Sequence, residues 1–362
     1  MLPLGQPPAC AYPLFMPRLL DTPDELAPLQ RVLVGALAGV AERIKEALAS
    51  DMPAVQRLVE HVEQYHGKMI RPTLVILSGL ACHPSDVAKG QTAGLAGPAP
   101  LSPLTPAHTT IGAVVEMVHL AMLIHDDVLD EADERRQALT VNRLTGNEAA
   151  VMLGDYLFSS AYRLCGQLGD AHATVRIGQT GMTLCAGELL QLHNRGNFSL
   201  DQRTYFELID RKTASLIAVS CELGARASGA DAEVYARMAR FGSKLGTAFQ
   251  IQDDLLDLGG DQSLVGKSLG KDAEKGKLTL PVIHHLQSST PERRGKTLTM
   301  LSEGAPRALL AEALRSTDSI EHSRRVAEGL VQEARAQLEP LRPSHARQML
   351  GAIAEAVLTR AH

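Results

Sequence analysis

Two acidic clusters, each at the end of an apolar stretch with helical periodicity, constrain the fold of this 362-residue chain most strongly. The first runs from Asp126 to Asp130 and follows the apolar residues 120–124. The second runs from Asp253 to Asp257. Residues four positions apart share one face of a helix, so the first and last carboxylates of each cluster point the same way. If both helices face one cavity, the carboxylates there require cations or basic partners.

Hard carboxylate oxygens at this spacing suit Mg²⁺, which keeps some of its waters and shares phosphate ligands. One acidic cluster alone is as often a solvated helix end. Two clusters in one helical chain favour a metal site with catalytic carboxylates. The candidates are Asp126, Asp127, Asp130, Asp253, Asp254 and Asp257.

Basic and polar residues that could bind phosphate occur at intervals along the chain. Lys68 and Arg71 lie three positions apart beside a glycine and a proline, a corner that can present two cations to one diphosphate. His119 precedes Asp126 by two helical turns, on the same face. The other basic candidates are Arg135, Arg136, Lys212, Lys267, Lys271 and Lys277, of which Lys212 is also a catalytic candidate. Thr213 follows Lys212, and Gln250 lies one turn before Asp253 and Asp254. Each Lys or Arg alone is typical of a solvated surface charge, but together they can neutralise two diphosphates.

The periodicity predicts an all-α fold in a single domain over residues 23–362. Long helices are expected at 111–130, 148–168, 171–193, 200–228 and 231–258. No run has the alternation of a β-strand, so no sheet is predicted. We expect residues 1–22 to form a loosely ordered arm and residues 84–107, rich in Pro, Gly and Ser, to form a surface loop.

Composition excludes some classes of function. The 36 Lys and Arg residues against 41 Asp and Glu, with 3% aromatic residues, do not favour a nucleic-acid-binding protein. No apolar run reaches the roughly 18 residues of a membrane span, so none is predicted. The N-terminus lacks the pattern of a secretory signal, and the five cysteines are widely spaced. We therefore expect a cytoplasmic protein with reduced thiols.

Several of these strings, taken in order, resemble the trans-isoprenyl diphosphate synthases, or polyprenyl synthetases, over residues 30–360. The matching strings are GKMIRP at 67–72, HDDVLD at 125–130, VNRLTGNEAAVMLGD at 141–155, FQIQDDLLD at 249–257 and GKLTLP at 276–281. The resemblance implies a helical bundle around a deep central cavity, and a homodimer. It also implies that an allylic diphosphate is joined to isopentenyl diphosphate with Mg²⁺ as cofactor.

The resemblance also implies a role for each matching residue. Asp126, Asp130 and Asp253 are expected to bind the metal. Isopentenyl diphosphate is expected to contact Lys68, Arg71, His119 and Arg136. The allylic diphosphate is expected to contact Arg135, Lys212, Thr213, Gln250, Lys267 and Lys277. The chain departs from the family at His66, Met69 and Gln137, which affects loop geometry but removes none of these charges.

Product length is expected to depend on residues one or two turns before Asp126, namely Ala121, Met122 and Val118. None is aromatic, and in the resembling family a bulky ring at the position of Ala121 or Met122 stops the chain early. We therefore expect a long product, with geranylgeranyl or farnesyl length as the alternative. A further alternative is that Ala121 only permits close helix packing and another helix sets the length.

Three other functions stay open at this point. A terpene cyclase could share the first acidic cluster, but it would have little use for the Lys68 and Arg71 site. A non-catalytic partner subunit of a prenyl synthase would typically lose aspartates, whereas both clusters are complete here. A helical metal-binding or scaffold protein would not explain the paired basic residues.

Overall fold

The computed structural model describes residues 26–65, 67–83, 104–135, 138–259, 276–303 and 307–359. The predicted arm, most of the predicted 84–107 loop, His66, Arg136, Gln137, Lys267 and Lys271 lie outside these residues. The described residues are almost entirely helical, which confirms the all-α prediction.

The described residues form fifteen α-helices. They are α1 (Ala27–Leu48), α2 (Pro53–Val62), α3 (Ile70–Cys82), α4 (Pro106–Leu129), α5 (Val141–Thr145), α6 (Asn147–Gly166), α7 (Ala171–His193), α8 (Gln202–Ile209), α9 (Ser215–Ala227), α10 (Ala232–Gly259), α11 (Leu280–Ser288), α12 (Pro291–Ser302), α13 (Arg307–Arg315), α14 (Ser319–Leu338) and α15 (His345–Leu358). A 3₁₀ turn (Glu63–Tyr65) follows α2, and a π-helix (Asp210–Ala214) joins α8 to α9.

Helix α4 forms the centre of the bundle because it is apolar on nearly every side. It packs against α1, α3, α6 and α9, and Ala113, Met117 and Ala121 along it are fully buried. A helix that is hydrophobic all round belongs in a core or a membrane. Among the described residues α4 is the one helix long and apolar enough to cross a membrane, and most of it is buried inside the protein, as in a core helix.

The secondary structure differs from the sequence-based expectation in the start of one helix, an interruption of another and one short hairpin. Helix α4 begins at Pro106, five residues before Ile111, because proline suits the first turn and the Thr105 amide donates to Nδ1 of His108. The helix expected over 200–228 is interrupted by the π-helix. The expectation of no sheet needs one correction, since β1 (Glu134–Arg135) pairs antiparallel with β2 (Ala138–Leu139).

Candidate active site

The acidic end of α4 presents two carboxylates to a cleft. Oδ2 of Asp126 lies 3.4 Å from Nζ of Lys212, and both carboxylate oxygens of Asp130 lie 3.2 Å from Nζ of Lys277. Lys212 and Lys277 line one cleft together with Gln250. The first and last aspartates of the cluster therefore face the same basic cleft, as their four-residue spacing predicts.

Asp127 makes different contacts from its two neighbours. It is 1% exposed, and Nε and Nη2 of Arg135 both donate to its carboxylate, at 2.9 and 2.6 Å. Burial raises the pKa of Asp127, although the Arg135 guanidinium acts to lower it. Asp127 was predicted as catalytic and Arg135 as a diphosphate contact. Here the two form a buried ion pair that fixes the β1 strand to the end of α4.

The β1–β2 hairpin is also tied to the loop that carries Lys68. Nε2 of His61 lies 2.8 Å from the carbonyl oxygen of Leu139, and the Tyr65 hydroxyl donates to the same oxygen at 3.0 Å. Burial, with a contribution from Asp127, raises the pKa of Tyr65 to about 12, so its hydroxyl keeps its proton. These bonds hold the segment after α2 beside the loop that follows the first acidic cluster.

Three of the residues predicted to bind isopentenyl diphosphate, Lys68, Arg71 and His119, are among the described residues. Lys68 is exposed and Arg71 is half-buried at the start of α3. Between them Met69 is buried in the left-handed conformation, with φ of 49°. This conformation is uncommon for a residue with a side chain. It turns the chain sharply just before α3. His119 is half-buried on α4.

Lys212 and Thr213 lie in the π-helix, a distortion often found at functional sites. Two glycines let neighbouring helices approach it. A Cβ on Gly187 of α7 would lie 3.0 Å from the backbone nitrogen of Lys212, and one on Gly246 of α10 would lie 2.6 Å from Cα of Ala214. The π-helix is therefore clamped between α7 and α10, which fixes where Lys212 points.

Lys212 bridges two carboxylates from different helices. Its Nζ lies 2.7 Å from Oε1 of Glu188 on α7, in addition to its contact with Asp126 on α4. Burial acts to lower the pKa of Lys212, but the two carboxylates outweigh burial and raise it. Burial and the nearby Asp126 raise the pKa of Glu188, while Lys212 opposes them. The ammonium of Lys212 is thus kept charged inside the cleft.

The second acidic cluster lies at the end of α10, and its central carboxylate is buried. The Tyr205 hydroxyl donates to Oδ2 of Asp254 at 2.6 Å, and Nε2 of Gln250 donates to Oδ1 at 2.9 Å. Thr213 in turn donates to Oε1 of Gln250 at 2.8 Å. Asp254 therefore orients Gln250 and Thr213, both predicted to bind substrate. Asp253, predicted as a metal ligand, is half-buried beside it.

The carboxylates facing the cleft have the donor chemistry for a divalent cation. Among the described residues no three His, Cys, Asp or Glu side chains form a ready-made metal-binding group. Oδ1 of Asp126 is nevertheless buried and accepts no hydrogen bond, although its partner oxygen contacts Lys212. A buried carboxylate oxygen with no donor is costly unless a cation occupies its free side. Asp126 therefore fits a metal ligand.

Three residues that shape this cleft were not predicted from the sequence. Glu188, Arg195 and Tyr205 lie on or next to α7 and α8, which carry no acidic cluster or resembling string. Glu188 could have been found as a lone acid among apolar residues in the middle of a helix. Nothing in the local pattern around Tyr205 or Arg195 indicates that their side chains reach the cleft.

Comparison with known proteins identifies the family. The family model described as polyprenyl synthetase matches residues 52–316. The chain belongs to the polyprenyl synthetase family. It is a transferase that extends prenyl chains. The resemblance stated from its motifs is thereby confirmed.

Individual members of the polyprenyl synthetase family match over most of their length. An octaprenyl diphosphate synthase of Escherichia coli is 33% identical over 90% of this chain and 95% of its own. Heptaprenyl diphosphate synthase component 2 of Bacillus subtilis is 33% identical over 87% and 85%. The crystal structure of a Caulobacter crescentus polyprenyl synthase with calcium and isoprenyl diphosphate superposes with a TM-score of 0.81, at 27% identity over 94% and 98%. The divalent metal in that structure agrees with the carboxylates in the cleft of this chain.

Replacing Tyr205 by Phe should destabilise the end of α10. The change removes a buried donor from Asp254, which typically costs about 1.5–3 kcal/mol when the acceptor is charged. The free energy of unfolding from chemical denaturation measures this loss. The control is Tyr156→Phe, which removes a longer bond of 3.4 Å to the neutral carbonyl of Leu48 and should cost less. Equal losses in the two variants would contradict the role given to Tyr205.

Proposed function

We propose that this prenyltransferase is a Mg²⁺-dependent long-chain synthase that condenses an allylic diphosphate with isopentenyl diphosphate in the cytoplasm. The observation that carries the proposal is the pairing of Asp126 with Lys212 and of Asp130 with Lys277 across one cleft. Alternating carboxylates and ammonium groups suit a metal–diphosphate complex, since each finds an opposite charge there.

We assign the metal to Asp126, Asp130 and Asp253. Bound Mg²⁺ would supply charge that stabilises the diphosphate as it leaves the allylic carbon. Lys212 would then contact the diphosphate directly, because it is already charged and held in place by Glu188. Lys277, which contacts Asp130, would do the same. Arg135 and Lys267 are assigned to the same diphosphate, and Gln250 and Thr213 are held by Asp254 for contact with it.

We assign isopentenyl diphosphate to Lys68, Arg71, His119 and Arg136. The bonds of His61 and Tyr65 to Leu139 support this assignment, because they hold the Lys68 loop beside the hairpin. The double bond of isopentenyl diphosphate would attack the allylic carbon, and one proton would then pass to the departing diphosphate. The surrounding apolar helices exclude water, which would otherwise quench the allylic cation. The protein's work is positioning and electrostatics.

We propose a long product because the chain-length candidates before the first acidic cluster carry no aromatic ring. Val118, Ala121 and Met122 are buried on α4, and none carries a ring. The relatives from E. coli and B. subtilis are named octaprenyl and heptaprenyl diphosphate synthases. These names support a long product. Geranylgeranyl or farnesyl length is the alternative.

We propose that the enzyme acts as a homodimer through an exposed apolar stripe on α7. Val175, Met182 and Leu189 are exposed at seven-residue spacing, and Val151 and Met152 on α6 are exposed too. Side chains seven apart form one stripe along a helix. A contiguous apolar patch on a folded surface typically marks an interface. Two copies that bury the same stripe would satisfy the two-fold symmetry common among homo-oligomers.

The B. subtilis relative is named as one component of a synthase, which favours a second possibility. The same α7 stripe could bind a different subunit, and the chain would then need that subunit for activity. Assay of the purified chain alone separates the two possibilities. Labelled isopentenyl diphosphate, several allylic starters and Mg²⁺ should give a polyprenyl diphosphate without any partner, and light scattering should report a dimer. No product from the pure chain would favour the heteromeric alternative.

Asp126→Ala should lower turnover by several orders of magnitude, because it removes a ligand used only when metal and substrate are bound. The matched control is Asp133→Ala, which removes an exposed carboxylate on the loop after the same cluster, 3.5 Å from Arg143. The control should keep nearly wild-type turnover, and circular dichroism should show both variants folded. Near-normal turnover of Asp126→Ala would contradict the metal assignment.

Ala121→Phe should shorten the product, because a ring would occupy volume next to α4 that the growing chain needs. The measurement is the product distribution by chromatography, with one allylic starter and excess isopentenyl diphosphate. The rate of the first condensation is the internal control, since a folding defect would lower it along with every later step. A wild-type product of farnesyl length, or an unchanged distribution in the variant, would refute this account of the cavity.

A further inference from the structure

Arg195 is a basic residue of the cleft that neither the acidic clusters nor the resembling strings include. It follows the end of α7 at His193, and it lines the same cleft as Lys212 and Lys277. Its Nη2 lies 3.7 Å from Oδ1 of Asp130, whose carboxylate also lies 3.2 Å from Nζ of Lys277. Two cations thus converge on one carboxylate.

A backbone contact couples Arg195 to Lys277. The amide of Gly196 donates to the carbonyl oxygen of Gly276 at 2.9 Å. Both glycines have positive φ, 75° and 67°, which a residue with a side chain rarely adopts. A Cβ on Gly276 would lie 3.0 Å from the nitrogen of Gly196, so the two turns touch directly. Each glycine is next to one of the two cations, and the contact therefore sets their spacing.

Asp130 holds Arg195 less closely than it holds Lys277. Its carboxylate lies 3.7 Å from Nη2 of Arg195 and 3.2 Å from Nζ of Lys277. The Arg195 side chain is 41% exposed, so its guanidinium can turn from Asp130 toward a ligand in the cleft. Guanidinium presents several donors in one plane, a geometry that matches phosphate oxygens.

We propose that Arg195 binds the diphosphate group of the allylic substrate, from the turn after α7. This inference rests on the proposed function and adds a ligand contact that its residue assignments lack. A metal bound at Asp130 would balance the charge of that carboxylate. Arg195 and Lys277 could then bind the diphosphate, at the spacing that the glycine contact sets. Arg195 also follows the C-terminus of α7, where a cation can simply stabilise the helix. The experiment must separate these two roles.

The first measurement is binding of inorganic pyrophosphate by titration calorimetry with excess Mg²⁺ present, because the metal at Asp130 is what frees Arg195 for the ligand. Arg195→Gln should weaken binding about tenfold, as expected for loss of one charge-assisted contact. Arg195→Lys should recover part of the affinity because it keeps the charge. The matched control is Arg203→Gln, which removes an exposed arginine on α8 and should bind like wild type.

The second measurement tests which of the two substrates Arg195 contacts. Arg195→Gln should raise KM for the allylic diphosphate about tenfold and leave KM for isopentenyl diphosphate within about twofold of wild type. Three results for Arg195→Gln would overturn the proposal. They are an unchanged pyrophosphate affinity, an equal rise in both KM values, and a lower melting temperature with no other change. If the wild type makes no product, the proposed function fails, and pyrophosphate binding still decides the role of Arg195.

Discussion

The cleft depends on one ammonium group, that of Lys212, held between Asp126 and Glu188. The three residues come from α4, the π-helix and α7, so one ammonium group joins three elements through two ion pairs. Without the ammonium, two largely buried carboxylates would face each other at a cost in stability. The same charge would serve the diphosphate. In the proposed function, the group that stabilises the acidic end of α4 is thus the group that also binds the diphosphate.

The position of that ammonium is fixed by backbone geometry more than by side-chain packing. The π-helix shifts Lys212 and Thr213 relative to a regular helix, and glycines at 187 and 246 let α7 and α10 close on it. Asp254 performs a parallel task on α10, since it holds Gln250, which accepts from Thr213. Each acidic cluster thus contains one carboxylate that supports the structure: Asp127 in the first cluster and Asp254 in the second. The proposed metal ligands, Asp126, Asp130 and Asp253, flank these two carboxylates.

Much of this arrangement could be predicted from the sequence, and the remainder has physical reasons. Helical periodicity predicted α7 to the residue, and the spacing of Asp126 and Asp130 predicted their shared face. The π-helix was missed because the hydrophobic pattern of 200–228 continues through it. The burial of Asp127 by Arg135 was missed because spacing along one helix does not show which face meets a folded-back loop. Arg195 was missed because tertiary contact alone brings it to the cleft.

The most direct test of this account is thermal unfolding of Lys212→Met and of Lys212→Met combined with Glu188→Gln. The single variant should melt about 1–2 °C below wild type for each kcal/mol lost, because it leaves Asp126 and Glu188 facing each other without a cation. The second substitution removes that repulsion, so the double variant should recover most of the loss. If the double variant is as unstable as the single variant, or less stable, the carboxylates do not depend on Lys212 and the account is wrong.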